Sequence, residues 1–112
     1  MFPDETILLD IARAARLVLE FKQDFDKKAF LQDPKTQSAI LHQLMVIGEA
    51  VKRLSGDFRT SHSEIPWALV AGMRDKLIHG YDIVDLGEVW KTADVDVPHM
   101  LSVIELLLPK PE

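Results

Sequence analysis

From Ile7 to Leu108 the apolar residues of this chain recur at intervals of three and four, and no segment sustains the period-two alternation of a half-buried strand. That regularity predicts an all-α fold. In the first segment Ile7, Leu8, Ile11, Ala14, Ala15, Val18, Phe21 and Phe25 form one stripe, with Arg13, Arg16, Glu20 and Lys22 on other faces. Asp4 is its expected N-cap, with Thr6 as competitor. Asp33-Pro34 restarts the chain as a cap followed by a proline at the first helical position. The second stripe is Ile40, Leu41, Leu44, Ile47, Val51 and Leu54, closed by Ser55-Gly56. Gly48 inside that helix costs about 1 kcal/mol against alanine, which a close helix crossing would explain.

Residues 57–65 are polar and aperiodic and read as a loop. Pro66 opens a third helix carrying Trp67, Leu69, Val70, Met73, Leu77 and Ile78, and Gly80 is placed to stop it. Asp85-Leu86-Gly87-Glu88 has the form of a capping box for a fourth. Asp94-Val95-Asp96-Val97-Pro98 predicts a kink or short break, because proline disfavours helical geometry in the residue before it. A last apolar stretch runs from Met100 to Leu108. With no internal repeat, these segments predict a four- to five-helix up-and-down bundle forming one domain over residues 1–112.

The absence of cysteine excludes a disulfide framework, a thiolate zinc site and a cysteine nucleophile. No apolar run approaches the length of a membrane span, and the acidic start Met-Phe-Pro-Asp-Glu-Thr does not resemble a signal peptide, so a cytoplasmic protein is expected. The net charge of −5 argues against a protein that coats nucleic acid, while leaving room for one local basic spot that touches RNA or for a basic protein partner.

The chemistry is concentrated in Arg74-Asp75-Lys76-Leu77-Ile78-His79-Gly80-Tyr81. Arg74 falls on the otherwise apolar stripe of Trp67, Val70 with Ala71, Leu77 with Ile78, and Tyr81, where a guanidinium needs a carboxylate, a backbone acceptor or an anionic ligand. Asp75 and His79 are four apart on the next face, with the small residues Ala68 and Gly72. The carboxylate can therefore reach the imidazole, and the helix end further favours imidazolium. The structural alternative is a cap with a surface ion pair. Elsewhere His42, His62 and His99 lie on separate segments without His-x3-His or acidic metal spacing, so no metal or cofactor is expected. Asp94 and Asp96 read as caps, Glu49 as an exposed helical residue that could face the cleft, and Trp67 and Trp90 as core in preference to base-stacking platforms.

Arg74-x4-His79-x-Tyr81 resembles the Arg-x4–6-His motif of HEPN domains in its His-x-Tyr form. Ile47-Gly48-Glu49-Ala50, Ile65-Pro66-Trp67, Gly72-Met73-Arg74, His79-Gly80-Tyr81, Val89-Trp90 and Val97-Pro98 are, in that order, similar to the HepT-type toxin branch. Members of that branch often have Asn after the arginine, where this chain has Asp75. The resemblance implies a helical bundle that forms a homodimer and joins two motifs in one cleft. It further implies a metal-independent ribonuclease acting on RNA, paired with an antitoxin that is a minimal, MntA-like nucleotidyltransferase. By position, Arg74 and His79 would be catalytic, with Asp75 orienting His79, and Tyr81 would accept AMP. Two other readings share these residues: a non-catalytic subunit presenting a nucleotide or Tyr81 to that partner, and a plain helical dimer whose motif is structural.

Overall fold

In the computed structural model, which describes residues 3–79 and 84–108 with the side chains of residues 3 and 77–79 excepted, every regular element is helical. The order is α1 (Pro3–Lys22), α2 (Lys27–Phe30), α3 (Pro34–Arg53), α4 (Gly56–Ser61), α5 (Trp67–His79), α6 (Leu86–Lys91), a π-helical turn (Thr92–Asp96) and α7 (Val97–Leu107). The long α3 is central, packing on α1 along one side and on α5 along the other, while α7 closes over α1. Ile11, Val18, Ile40, Ile47 and Ile104 are fully buried in one contiguous core, as the stripes predict, and Phe30 and Val89, which belong to no stripe, join them.

Several boundaries differ from the sequence reading. Helix α1 begins at Pro3, so Asp4 lies in its first turn and does not cap it. The Asp4 carboxylate instead accepts from the Ser55 backbone N–H at 2.9 Å and from its hydroxyl at 2.7 Å. Ser55 in turn accepts the Phe58 N–H, capping α4, so Ser55-Gly56 ends one helix and starts another. The stretch read as a loop therefore contains α4. At the other end of α1, Asp24 takes a left-handed φ of 69° and releases Phe25 from the stripe. Asp26 then caps α2 by accepting the Ala29 N–H at 2.8 Å.

Three start signals hold. Pro34 opens α3, although Asp33 takes the Thr36 hydroxyl and not a backbone N–H. Pro66 immediately precedes α5. Asp85 caps α6 by accepting from the N–H groups of Gly87 and Glu88, but Glu88 completes no reciprocal box and points to Lys76, 3.7 Å away. The expected break before Pro98 is a widening: proline offers no N–H to the preceding turn, and the chain passes through the π turn directly into α7. Asp94 pairs with Lys22 at 3.2 Å and Asp96 makes no side-chain cap, so neither has the capping role expected. Among the described residues no helix is long and apolar enough to cross a membrane.

The two helical glycines of α3 and α5 meet opposite surroundings. A Cβ on Gly48 would overlap the Arg74 Cβ and stand 3.1 Å from the Val70 carbonyl, whereas one on Gly72 would meet nothing within 4 Å. Gly48→Ala is expected to lower unfolding free energy by about 1–2 kcal/mol, overpacking outweighing the better helix propensity. Gly72→Ala should leave it unchanged or raise it by up to about 1 kcal/mol. Urea denaturation of the two variants side by side checks the contrast.

Candidate active site

The close crossing of α3 and α5 at Gly48 places Arg74. With no side chain on the glycine, the aliphatic stem of Arg74 lies against α3 and carries the guanidinium out to the rim. The side chain is 24% exposed. Its Nη2 donates to Glu49 Oε2 across 2.9 Å, and its Nη1 to Asp75 Oδ1 across 3.1 Å. Lys52 Nζ reaches the same Asp75 oxygen at 2.5 Å. Two residues of α3 and two of α5 thus form an alternating ladder, Glu49–Arg74–Asp75–Lys52. The carboxylate that an arginine on an apolar stripe requires is there twice over.

Each rung is partly exposed and screened by solvent, so the ladder adds little to stability. The ladder fixes direction. The hydrogen bond from Lys52, then that from Arg74, holds the Asp75 carboxyl below the ordinary aspartate range. Asp75 Oδ1 takes both cations, while Oδ2 has no partner among the described residues. His79 is the last residue of α5, and its side chain lies outside the description, as do Gly80 and Tyr81 altogether. The expected Asp75–His79 contact, the stop at Gly80 and the position of Tyr81 therefore fall outside the described residues.

Beside Arg74 an open groove of about 310 Å³ runs along α3, lined by His42, Met45, Val46, Glu49 and Arg53. Those five recur at steps of three and four and so form one stripe, separate from the core stripe of Ile40, Leu44, Ile47 and Val51. The tryptophans are placed by packing. Trp67 is buried, its Nε1 donating to the His62 carbonyl at 2.9 Å, and Trp90 lies 5.3 Å from the Phe30 ring with Lys22 over its face. His62 sits 4.5 Å from the Phe58 ring, while His99 faces the Glu64 carbonyl. Among the described residues no three His, Asp or Glu converge as metal ligands would.

Sequence reasoning found Arg74 and Asp75 but left Glu49 as a solvated glutamate and passed over Lys52 and Arg53. A signal was available. The crossing expected at Gly48 makes its neighbour Glu49, and Lys52 one turn on, the residues of α3 best placed to meet α5.

Fold and site together define a small all-α protein whose chemically loaded helix is pinned to a central helix by a glycine contact and a charge ladder. The sequence profile described as ribonuclease HepT-like matches residues 11–107, and the chain belongs to that HEPN family. A "Probable ribonuclease HepT" of Thermococcus cleftensis is 46% identical over 100 residues, covering 89% of this chain and 91% of its own. A "Putative RNase" of Caldanaerobacter subterraneus subsp. tengcongensis is 36% identical over 100 residues, covering 89% of each chain. A Methanocaldococcus jannaschii protein named "Gamma-glutamylcyclotransferase and putative RNase" is 36% identical over 94 residues, which are 84% of this chain and 42% of that one. No solved structure matches.

Because its folded pKa lies below the unfolded one, Asp75 contributes its pairing energy in full above the ordinary aspartate value. That contribution declines as pH falls from the ordinary value and is gone once pH has passed through the depressed folded one. Carboxyl-carbon NMR should give Asp75 a midpoint below the ordinary value of about 3.9. Lys52→Ala should move it back up, and a wild-type midpoint at or above the ordinary value would contradict the ladder.

Proposed function

We propose that this chain is a metal-independent endoribonuclease, the toxin of a toxin–antitoxin pair, silenced when a nucleotidyltransferase antitoxin transfers AMP to Tyr81. The observation that carries the reading is Arg74. It is a guanidinium held in place at the edge of an open groove, on the helix that ends in His79, in a chain of a ribonuclease family. Arg74 clamps the scissile phosphate and stabilises the charge that grows on it. A ribose 2′-hydroxyl attacks the adjacent phosphorus and the bond to the 5′-oxygen breaks. His79 imidazoles remove the first proton and supply the one the leaving oxygen takes. The products are a 2′,3′-cyclic phosphate and a 5′-hydroxyl. Asp75, tied to Lys52 and Arg74 through Oδ1, has Oδ2 to offer His79 one turn on.

Five residues along a helix advance about 140° around it, so positions 74 and 79 of one chain fall on different faces of α5. A two-fold homodimer with facing α5 helices removes that difficulty, since each arginine can meet its partner's histidine. The face of α5 with Ala68, Leu69 and Gly72 supports this arrangement. Leu69 is 40% exposed, and Gly72 leaves open space beside it. The setting is the cytoplasm.

Protein isolated free of AMP should cleave RNA in excess chelator, leave cyclic phosphate ends and scatter light as a dimer. His79→Ala should abolish cleavage. Arg74→Ala should cost roughly 3–4 kcal/mol of transition-state stabilisation, a hundred- to thousandfold in kcat, and Asp75→Asn much less. A protein that binds its partner yet leaves a broad RNA set intact would instead be the non-catalytic subunit.

Transfer of AMP to Tyr81, two residues beyond His79 in the sequence, would exchange a neutral phenol for a bulky anion whose phosphate could compete with substrate for Arg74. Co-expression with the antitoxin should add one AMP mass to Tyr81 and protect growth. Tyr81→Phe should escape that control, and mass spectrometry finding AMP only on other residues would refute the switch.

A further inference from the structure

The groove along α3 has a composition that the clamp on one phosphate does not use. It is lined by the apolar Met45 and Val46 and by two planar groups, the His42 ring and the cationic Arg53 guanidinium. Arg53 has no ion pair or hydrogen bond among the described residues, although Glu49 stands four positions before it, where a helical pair would ordinarily form. The Glu49 carboxylate is turned to Arg74 instead. Among the described residues Arg53 is thus a cation without a partner, lining a groove that opens onto the motif arginine. A second hollow of about 150 Å³ shares Val46 and Arg53 and continues towards α1, where Arg13 is likewise unpaired among the described residues and Asp10 is the opposing acid. Arg74, Arg53 and Arg13 therefore follow one another across α5, α3 and α1.

We propose that this groove is a nucleotide subsite. It would hold the single-stranded RNA residue next to the phosphate clamped by Arg74, with Met45 and Val46 under the base, His42 stacking on it, and Arg53 taking the following phosphate. The inference rests on the ribonuclease reading and adds to it the form of the substrate and the residues that bind it. A volume of about 310 Å³ lies at the low end of the roughly 300–1,000 Å³ of small-ligand sites, enough for one nucleotide and too little for a peptide helix. Unpaired bases are recognised by stacking on His rings and Arg planes, which a duplex denies them. A thioether packs well against aromatic rings. The unpaired arginines match a line of phosphates, and a chain of net charge −5 has few places where such a line could lie.

The test is fluorescence anisotropy of AMP-free protein with a labelled, fully 2′-O-methylated single-stranded oligonucleotide, which binds but cannot be cleaved, read alongside cleavage kinetics on unmodified RNA. His42 and Arg53 are exposed, so both can be changed without touching the core. Arg53→Ala should weaken binding about five- to tenfold and reduce the slope of log affinity against log salt by about 0.7, while Arg53→Lys recovers the slope. His42→Ala should weaken binding by at least about fivefold with the slope unchanged, as loss of a stacking partner does. In cleavage, KM should rise by similar factors with much smaller changes in kcat. If wild-type protein cleaves RNA and both variants bind and cleave like it, the subsite is wrong and the ribonuclease reading stands. If wild-type protein neither binds nor cleaves RNA, both fall. RNA affinity kept by Arg53→Ala together with loss of AMP acceptance would give the groove to the protein partner and overturn the proposal.

Discussion

The contact of Gly48 with the stem of Arg74 determines most of what surrounds it. Helices pack with axes about 8–10 Å apart, according to the side chains between them, and a glycine permits the near end of that range. The crossing point then decides which residues of α3 and α5 face each other. Glu49 follows the glycine directly and meets the guanidinium, while Lys52 lies one turn further and meets Asp75. Sliding α5 by one residue would set Asp75 against Gly48 and bring like charges together. The steric contact selects the register, and the charges penalise the alternatives.

On the proposed ribonuclease reading, the ladder would let a guanidinium wait in place for an anion. Glu49 is 52% exposed, so its carboxylate can exchange Arg74 for water at little cost. Asp75 is also held by Lys52, through the oxygen that takes Arg74, and would stay if Glu49 left. An arriving phosphate would therefore replace one carboxylate while the other keeps the guanidinium plane oriented. An arginine that had to be ordered on binding would lose more side-chain entropy.

The long helices were legible because a 3.6-residue period repeats often enough over α1, α3 and α5 to be recognised, and because Asp33-Pro34, Pro66 and Asp85 carry local start chemistry. Helices α2 and α4 were not, since four and six residues contain too few turns to display a period. Asp4 was misread for a related reason. Its carboxylate serves Ser55, far along the chain, and only the folded state brings the two together. Arg74 declared itself locally, as a charge on an apolar stripe. Glu49 and Lys52 could not, because their partners depend on where two helices cross.

Net charge is a poor guide to what such a molecule can touch, and the use made of its acids says why. Asp26 and Asp85 cap helices, Asp4 and Asp33 bind hydroxyls, and Asp94, Glu88 and Glu105 pair with Lys22, Lys76 and Arg16. Much of the negative charge is thus bound up in holding helix ends and neighbouring helices, where its field is met locally by N–H dipoles or cations. Arg13 and Arg53 are not neutralised in this way among the described residues, and the two hollows that Arg53 lines hold Arg74 and Arg13 respectively. At the ionic strength of a cell, fields fade over about 8 Å, so an approaching phosphate senses this neighbourhood more than the sum over the chain. An acidic protein can in that way present a basic path to a polyanion across three helices while the rest of its surface repels it.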